Sequence, residues 1–219
     1  MERNIKVTGR GKVSVKPDTI RLNIEASGIY KEYDKAVKAS AEETGILREV
    51  IARAGLDPKD LKTVNFGIDS EYENYHDRHD NYKRRFVGYK YTHSMYIQFP
   101  NDSAQLGKVL YELAKGKKDV EFSIMHTVRD VEAVKNELLA KAVEDSRAKA
   151  EILANAAGVS LGKIRTIDYS WGELEIYSRP MSRMMLAEAD LCETGGSYDI
   201  DIEADDINVQ DTVTIVWDI

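Results

Sequence analysis

The sequence is short of the residues that staple or punctuate a chain. It holds one cysteine, Cys192, so no internal disulfide can form and stability must come from packing. Prolines number four, phenylalanines four, tryptophans two and histidines four. Imidazole chemistry is therefore restricted to His76, His79, His93 and His126. No run approaches the ~20 apolar residues that a membrane-spanning helix needs. Positive charge is also in deficit: 31 Lys and Arg stand against 38 Asp and Glu, a formal net charge of -7. That excludes a global grip on nucleic acid or on an anionic membrane surface, and leaves only a local basic patch open. The opening "MERNIKVTGR" has no apolar core of signal-peptide type. The compartment expected on that ground is the cytoplasm; the alternative is a periplasmic or secreted protein whose leader has been removed.

What remains is an ordinary globular composition, 42% hydrophobic and 32% charged over 219 residues. A chain of that length buries a real core. We read it as a single domain, 1–219, with an exposed linker at about 173–197, where "ELEIYSRPMSRMMLAEADLCETGGS" shows no clean period.

The stretch "IKVTGRGKVSVKPDTIRLNIEASG" carries glycines at Gly9 and Gly11. A phosphate-gripping loop would need a helix to start directly after them, because the free N–H groups of that helix hold the anion. No helical pattern follows. Ile5, Val7, Gly9, Gly11, Val13 and Val15 share one parity, the period of a strand. Pro17 and Asp18 punctuate, and the apolar row resumes at Ile20, Leu22, Ile24 and Ala26. The segment is predicted to be a hairpin of two long strands. Its glycines leave gaps on the buried face for a helix or another backbone.

Further along, helices are predicted over 30–55, 101–116 and 130–157. The first has Ala36, Val37, Ala41, Leu47, Val50, Ile51 and Ala54 inside, and Gly55 as terminator. The second is capped by Asn101 or Asp102. The third has Val131, Val134, Leu138, Leu139, Ala142, Val143, Ile152, Leu153 and Ala156 inside. Its outer charge pairs are Lys141 with Asp145, Asp145 with Lys149, and Arg147 with Glu151. Strands are predicted at 64–68 and 87–99, joined as a second long hairpin, then at 120–128, 161–171 and 207–219. Together these define an α+β fold: a mostly antiparallel sheet built from long hairpins, with about three helices packed on it.

Three clusters are candidates for chemistry. "EYENYHDRHDNY" places His76, Asp77, His79 and Asp80 near Glu71 and Glu73, donors of the type that hold zinc or a similar divalent ion. The default reading is a solvated loop tip. "DIDIEADD" alternates Asp199, Asp201, Glu203 and Asp205, but a calcium loop fails, because Ala204 and Gln210 stand where Gly and Glu are required. Its default is an edge strand defended by charge. Met181, Met184, Met185 and Leu186 form an adaptable apolar set suited to contact with a neighbouring subunit or a protein partner. Asp190 and Glu193 beside Cys192 oppose a reactive thiolate. His93 and His126 lie on predicted strands and read as satisfied, partly buried side chains.

The order and spacing of several motifs resemble the SIMPL-domain family, the periplasmic immunogenic protein or outer-membrane antigen group. The residues that carry the resemblance are Val7, Gly9, Gly11, Val13, Pro17 and Asp18; "AGLDPKDLKTVNFGI"; Gly88 and Tyr89; and Ala148, Lys149, Ala150, Glu151, Ala154, Gly158, Val159, Leu161 and Gly162. Ala204 and Asp205 stand where the family commonly has Pro-Gly. The resemblance implies a compact α+β fold, a tendency to self-associate and links to bacterial stress or to signalling. It implies no catalytic residue and no cofactor. The expected function is therefore a non-enzymatic, self-associating protein, a homo-oligomer that works through protein–protein contacts. The alternatives are a metal-binding stress protein or metal-dependent enzyme using the His76/His79 loop, and a small-ligand binder with a cleft between the long helix and the sheet near Gly9 and Gly11.

Overall fold

The computed structural model describes residues 3–76, 81–116, 120–169, 176–178, 193–194, 197–198 and 204–219. The strands are β1 (Asn4–Val15), β2 (Thr19–Tyr30), β3 (Lys62–His76), β4 (Tyr82–Pro100), β5 (Val120–Thr127), β6 (Ile164–Asp168), β7 (Tyr177–Ser178), β8 (Glu193–Thr194), β9 (Ser197–Tyr198) and β10 (Ile207–Asp218). The helices are α1 (Tyr33–Arg53), α2 (Ser103–Gly116) and α3 (Val131–Ala156), with a 3-10 turn at Pro58–Asp60. This is an α+β fold in antiparallel sheets, as the alternating patterns predict. The chain divides into two compact units: one from residues 1–18, 127–178 and 204–219, the other from 19–126 and 179–203.

In the first unit the strand order is β1-β10-β6, antiparallel throughout. β1 lies against β10 along its whole length, from Asn4 opposite Asp218 to Val15 opposite Ile207. The predicted hairpin of β1 with β2 is therefore wrong: the two strands join different sheets. Parity identified both strands but not their partners. Pro17 and Asp18 do not make a tight reversal. The Asp18 N–H donates to the Thr127 carbonyl (3.2 Å), and its carboxylate accepts from the Arg129 N–H (2.7 Å), which leads the chain away from β1.

The apolar parity of β1 faces α3, and the glycines do there what their spacing suggests. A Cβ on Gly9 would lie 2.0 Å from the Ala142 carbonyl oxygen, and one on Gly11 2.1 Å from that of Leu138. Only glycine lets strand and helix backbones meet this closely. No helix springs from "GRGK", and on the face of β1 that carries the glycines α3 fills the gap, so no cleft opens on that parity. The buried positions of α3 are Val134, Leu138, Ala142, Ser146, Ala150 and Ala154, a strict four-residue repeat of mostly small side chains. Ile152 and Leu153, expected inside, are 67% and 50% exposed. At about 100° per residue, Ile152 points about half a turn away from the buried row and Leu153 about a quarter turn.

β1 is an edge strand, and α3 covers its edge. Asp145 accepts from the Arg10 backbone N–H (2.7 Å), Lys149 donates to the Thr8 carbonyl (3.4 Å) and Ser146 to that of Val7 (3.4 Å). Asp145 also pairs with Lys149 (2.7 Å). With Asp145 so engaged, Lys141 pairs with Glu137 (2.7 Å) rather than with Asp145 as predicted. Arg147 and Glu151 pair as predicted (3.1 Å). A second apolar group, Val13, Val128, Val134, Leu138, Ile176 and Ile207, closes this unit. Ile176 is buried and belongs to this core, although it was assigned to the exposed linker.

In the second unit β3, β4, β2 and β5 follow one another in that order, and the β3–β4 and β2–β4 pairs are antiparallel. α1 and α2 cover it with Leu47, Val50, Ile51, Leu106, Val109, Leu110 and Leu113, packed on Leu22, Ile24, Met95, Ile97 and Phe99. Asp102 caps α2, accepting from the Ala104 N–H (2.9 Å). Gly55, at φ +86°, terminates α1 in the left-handed region that glycine favours. The inner face of α1 runs through Ala36, Ser40, Glu43, Leu47, Val50 and Ile51. Val37 and Ala41, predicted inside, are exposed.

Candidate functional site

The predicted hairpin of β3 and β4 is present, but longer than the sequence suggests. Pairing continues to His76 opposite Tyr82, so much of the supposed polar tip is strand. A register shift between Glu71 and Tyr72 sets off the outer arm, residues 72–76 and 82–86. Bulges bend a ribbon and change its twist. Lys31 donates to the Val87 carbonyl at this point (3.0 Å).

Pleating divides the arm into two faces. Tyr72, Asn74 and His76 stand opposite Phe86, Arg84 and Tyr82. Their rings meet edge to face: Tyr72 with Phe86 at 5.5 Å and His76 with Tyr82 at 5.8 Å. Phe86 continues to Tyr89 (5.3 Å), and Tyr89 to Tyr33 at the start of α1 (5.6 Å). The Arg84 guanidinium lies 4.0 Å from the Tyr72 ring centroid, a cation–π contact. The other face carries the Arg85–Glu73 ion pair, with Arg85 also near Tyr75. Each face thus carries both rings and charge, with most of the rings on the first. Yet the rings stay open to solvent: Tyr82 is 66% exposed, and Tyr72, Tyr75 and Phe86 about 40% each. Lower on β3, which ends the strand order of this sheet, Val64 and Phe66 are exposed as well.

A second polar constellation lies inside this unit, between α1 and β4. The Tyr91 hydroxyl donates to Glu43, and both side chains are buried. His93, two residues along the same face of β4, has Thr44 at 3.2 Å on Nδ1 and Thr63 at 2.8 Å on Nε2, with the Phe66 ring edge-on at 5.2 Å. Burial, and then the charge of Arg48, hold the His93 pKa below the ordinary imidazole value, against a smaller opposing pull from Glu43. His126 is fully buried, neither ring nitrogen has a hydrogen-bond partner among the described residues, and burial lowers its pKa too. So His93 is the satisfied core histidine that was expected, while His126 is buried without that satisfaction.

Of the proposed metal donors, His76 stands on the aromatic face of the arm; Asp77, His79 and Asp80 lie outside the described residues. Among those described, no group of three or more His, Cys, Asp or Glu side chains converges as a metal would require. Glu73 is engaged by Arg85. Met181, Met184, Met185, Leu186 and Cys192 lie outside the described residues, as do Asp199, Asp201 and Glu203. Sequence reasoning missed the aromatic face. Its signal was available in the even spacing of Tyr72, His76, Tyr82 and Phe86, but the charges between them read as loop. It also missed Glu43, since a lone acid on a helix normally faces water.

Among the described residues the site is a surface of rings and not a convergence of metal-ligating groups, carried on an α+β fold. The chain belongs to the SIMPL family, described as a protein of unknown function (DUF541), whose model matches residues 5–217. The chain is 28% identical over 183 residues to the 26 kDa periplasmic immunogenic protein of Brucella melitensis, covering 84% of this chain and 70% of that one; the same protein of Brucella abortus matches equally. It is 22% identical over 218 residues to the uncharacterized protein YggE of Edwardsiella ictaluri, covering 99% of this chain and 87% of that one. These relatives are named as immunogenic or uncharacterized proteins and not as enzymes. No helix among the described residues is long and apolar enough to cross a membrane.

Proposed function

We propose that this protein works by self-assembly and not by catalysis, with the β3–β4 arm as its contact element. The observation that carries this reading is the aromatic face on a two-stranded arm open to solvent. An isolated hairpin is at best marginally stable in water, and large exposed apolar patches mark interaction sites. A second copy of the chain suits the arm, because the arm brings both signs of charge, Lys83, Arg84 and Arg85 beside Glu71 and Glu73, and can complement itself in an antiparallel pairing. The exposed edge of β3 adds backbone donors and acceptors to the same surface. The names of the two Brucella relatives place them in the periplasm, and we assign this chain the same compartment.

Size exclusion with light scattering tests the reading. At high micromolar concentration the protein should run as a multiple of the chain mass, and Tyr72→Ser with Phe86→Ser should return it to the monomer without loss of secondary structure. A wild-type protein that stays monomeric under these conditions refutes it.

A further inference from the structure

The "TGRGK" stretch has two faces. Its glycines meet α3, while Thr8, Arg10 and Lys12 have the opposite parity, with Thr212 across the ladder from Arg10. These four residues line an open concavity of about 660 Å³ together with Lys141, Asp145 and Lys149 of α3. We propose that this concavity binds a small anion carrying several phosphate-type groups, with Arg10 and Lys12 as its principal ligands.

The first support is charge. Four cations and one carboxylate line the concavity, in a chain whose net charge is -7. That carboxylate is already occupied: Asp145 accepts from the Arg10 backbone N–H and from Lys149, both at 2.7 Å. Lys141 and Lys149 of the concavity, like Lys35, Arg53, Arg85, Lys135 and Arg147 elsewhere, each hold an acidic partner. Among the described residues, neither the Arg10 guanidinium nor the Lys12 ammonium is hydrogen-bonded to a carboxylate. Arginine offers a planar fork of donors matched to phosphate oxygens, and lysine adds a mobile point charge.

The second support is spacing. Arg10 and Lys12 are two residues apart on one face of a strand, about 7 Å. Lys141 and Lys149 are eight residues apart on a helix, about 12 Å along its axis. A single phosphate reaches only part of such an array; a chain of linked phosphates follows it. The third support is preorganisation. The contact of Gly9 and Gly11 with the helix backbone fixes the separation of the two cation rows. The anion is thus held by side chains, and the glycines act only by bringing strand and helix together.

The test is isothermal titration of the full chain with sodium tripolyphosphate in phosphate-free buffer at low ionic strength. Saturable binding is expected, weakening as salt is added. Arg10→Gln with Lys12→Gln should weaken it by about tenfold or more, since charge-assisted contacts are lost. Asp145→Asn keeps an acceptor for the Arg10 N–H and removes the one negative charge, so it should bind more tightly. Lys38→Gln, on α1, should change nothing. Absence of saturable binding overturns the proposal. So does a double variant that binds like the wild type, an equal loss in Lys38→Gln, or orthophosphate binding as tightly as tripolyphosphate. None of these outcomes depends on the oligomeric state, so this proposal and the assembly reading fail separately.

Discussion

Where α3 crosses β1, the nearest neighbours of Gly9 and Gly11 are main-chain atoms of Ala142, Ser146 and Leu138. Where α1 and α2 cover β2 and β4, the contacts are among the side chains of Leu22, Ile24, Leu47, Ile51, Ile97 and Leu106. One unit removes side chains so that backbones can touch; the other fills the gap with branched and aromatic bulk and encloses a polar group within it. The difference teaches where each unit is vulnerable. Close backbone packing has no slack for an added atom, because main chain cannot rotate aside as a side chain can. A side-chain core absorbs changes of shape, but suffers when a buried polar partner is removed.

The largest effect is therefore expected at the glycines. Gly9→Ala sets a methyl 2.0 Å from a helix carbonyl oxygen. It should cost about 3 kcal/mol, or roughly 6–12 °C in thermal unfolding. A loss below 1 °C would show that the helix moves aside easily, and would erase the contrast between the units. Next comes Tyr91→Phe, which deletes the donor to buried Glu43. Chemical denaturation should show a loss of about 1–3 kcal/mol.

The third effect is on acid stability. His93 and His126 both have folded pKa values below the ordinary value of 6.5. The unfolded chain then binds protons more readily than the folded one. Their contribution to stability is complete above pH 6.5 and is lost as the pH falls from there through the lowered folded values. His126→Leu should flatten that acid limb in denaturation curves taken from pH 8 to pH 5, while costing less than about 1.5 kcal/mol at pH 8. An unchanged limb would assign the acid sensitivity elsewhere. The smallest effect sharpens the first. A Cβ on Gly45, in α1, meets nothing within 4 Å. Gly45→Ala should stabilise by about 0.5–1 kcal/mol through helix propensity alone. The same substitution thus carries opposite signs at Gly9 and Gly45.

The elements were legible in the sequence where one period dominated. β1, β2, β4 and β10 alternate cleanly, α2 has one apolar stripe, and the empty sites at Gly9 and Gly11 could be inferred before any partner was known. Pairing was not legible. The alternation of β1 says which residues turn inward but not which distant strand lies alongside, and Pro17-Asp18 imitates a reversal. α3 was misjudged at Ile152 and Leu153 because apolarity was taken as the sign of burial, whereas a helix seated on glycines buries its small residues. The aromatic arm was hidden by charges placed between its rings. Glu43 gave no signal, since its burial depends on Tyr91, 48 positions away.

The register of β1 has a further consequence. Its partner is β10, so during synthesis residues 4–15 must wait for residues 207–218 before their ladder can close. Strands β2, β3 and β4 pair with one another within residues 19–100 and can begin to organise earlier. Residues 3 and 219 meet, with the Ile219 N–H donating to the Arg3 carbonyl at 3.2 Å. A short bridge between these two residues, with the chain opened between β3 and β4, would make a circular permutant in which β1 follows β10 directly and no longer has to wait.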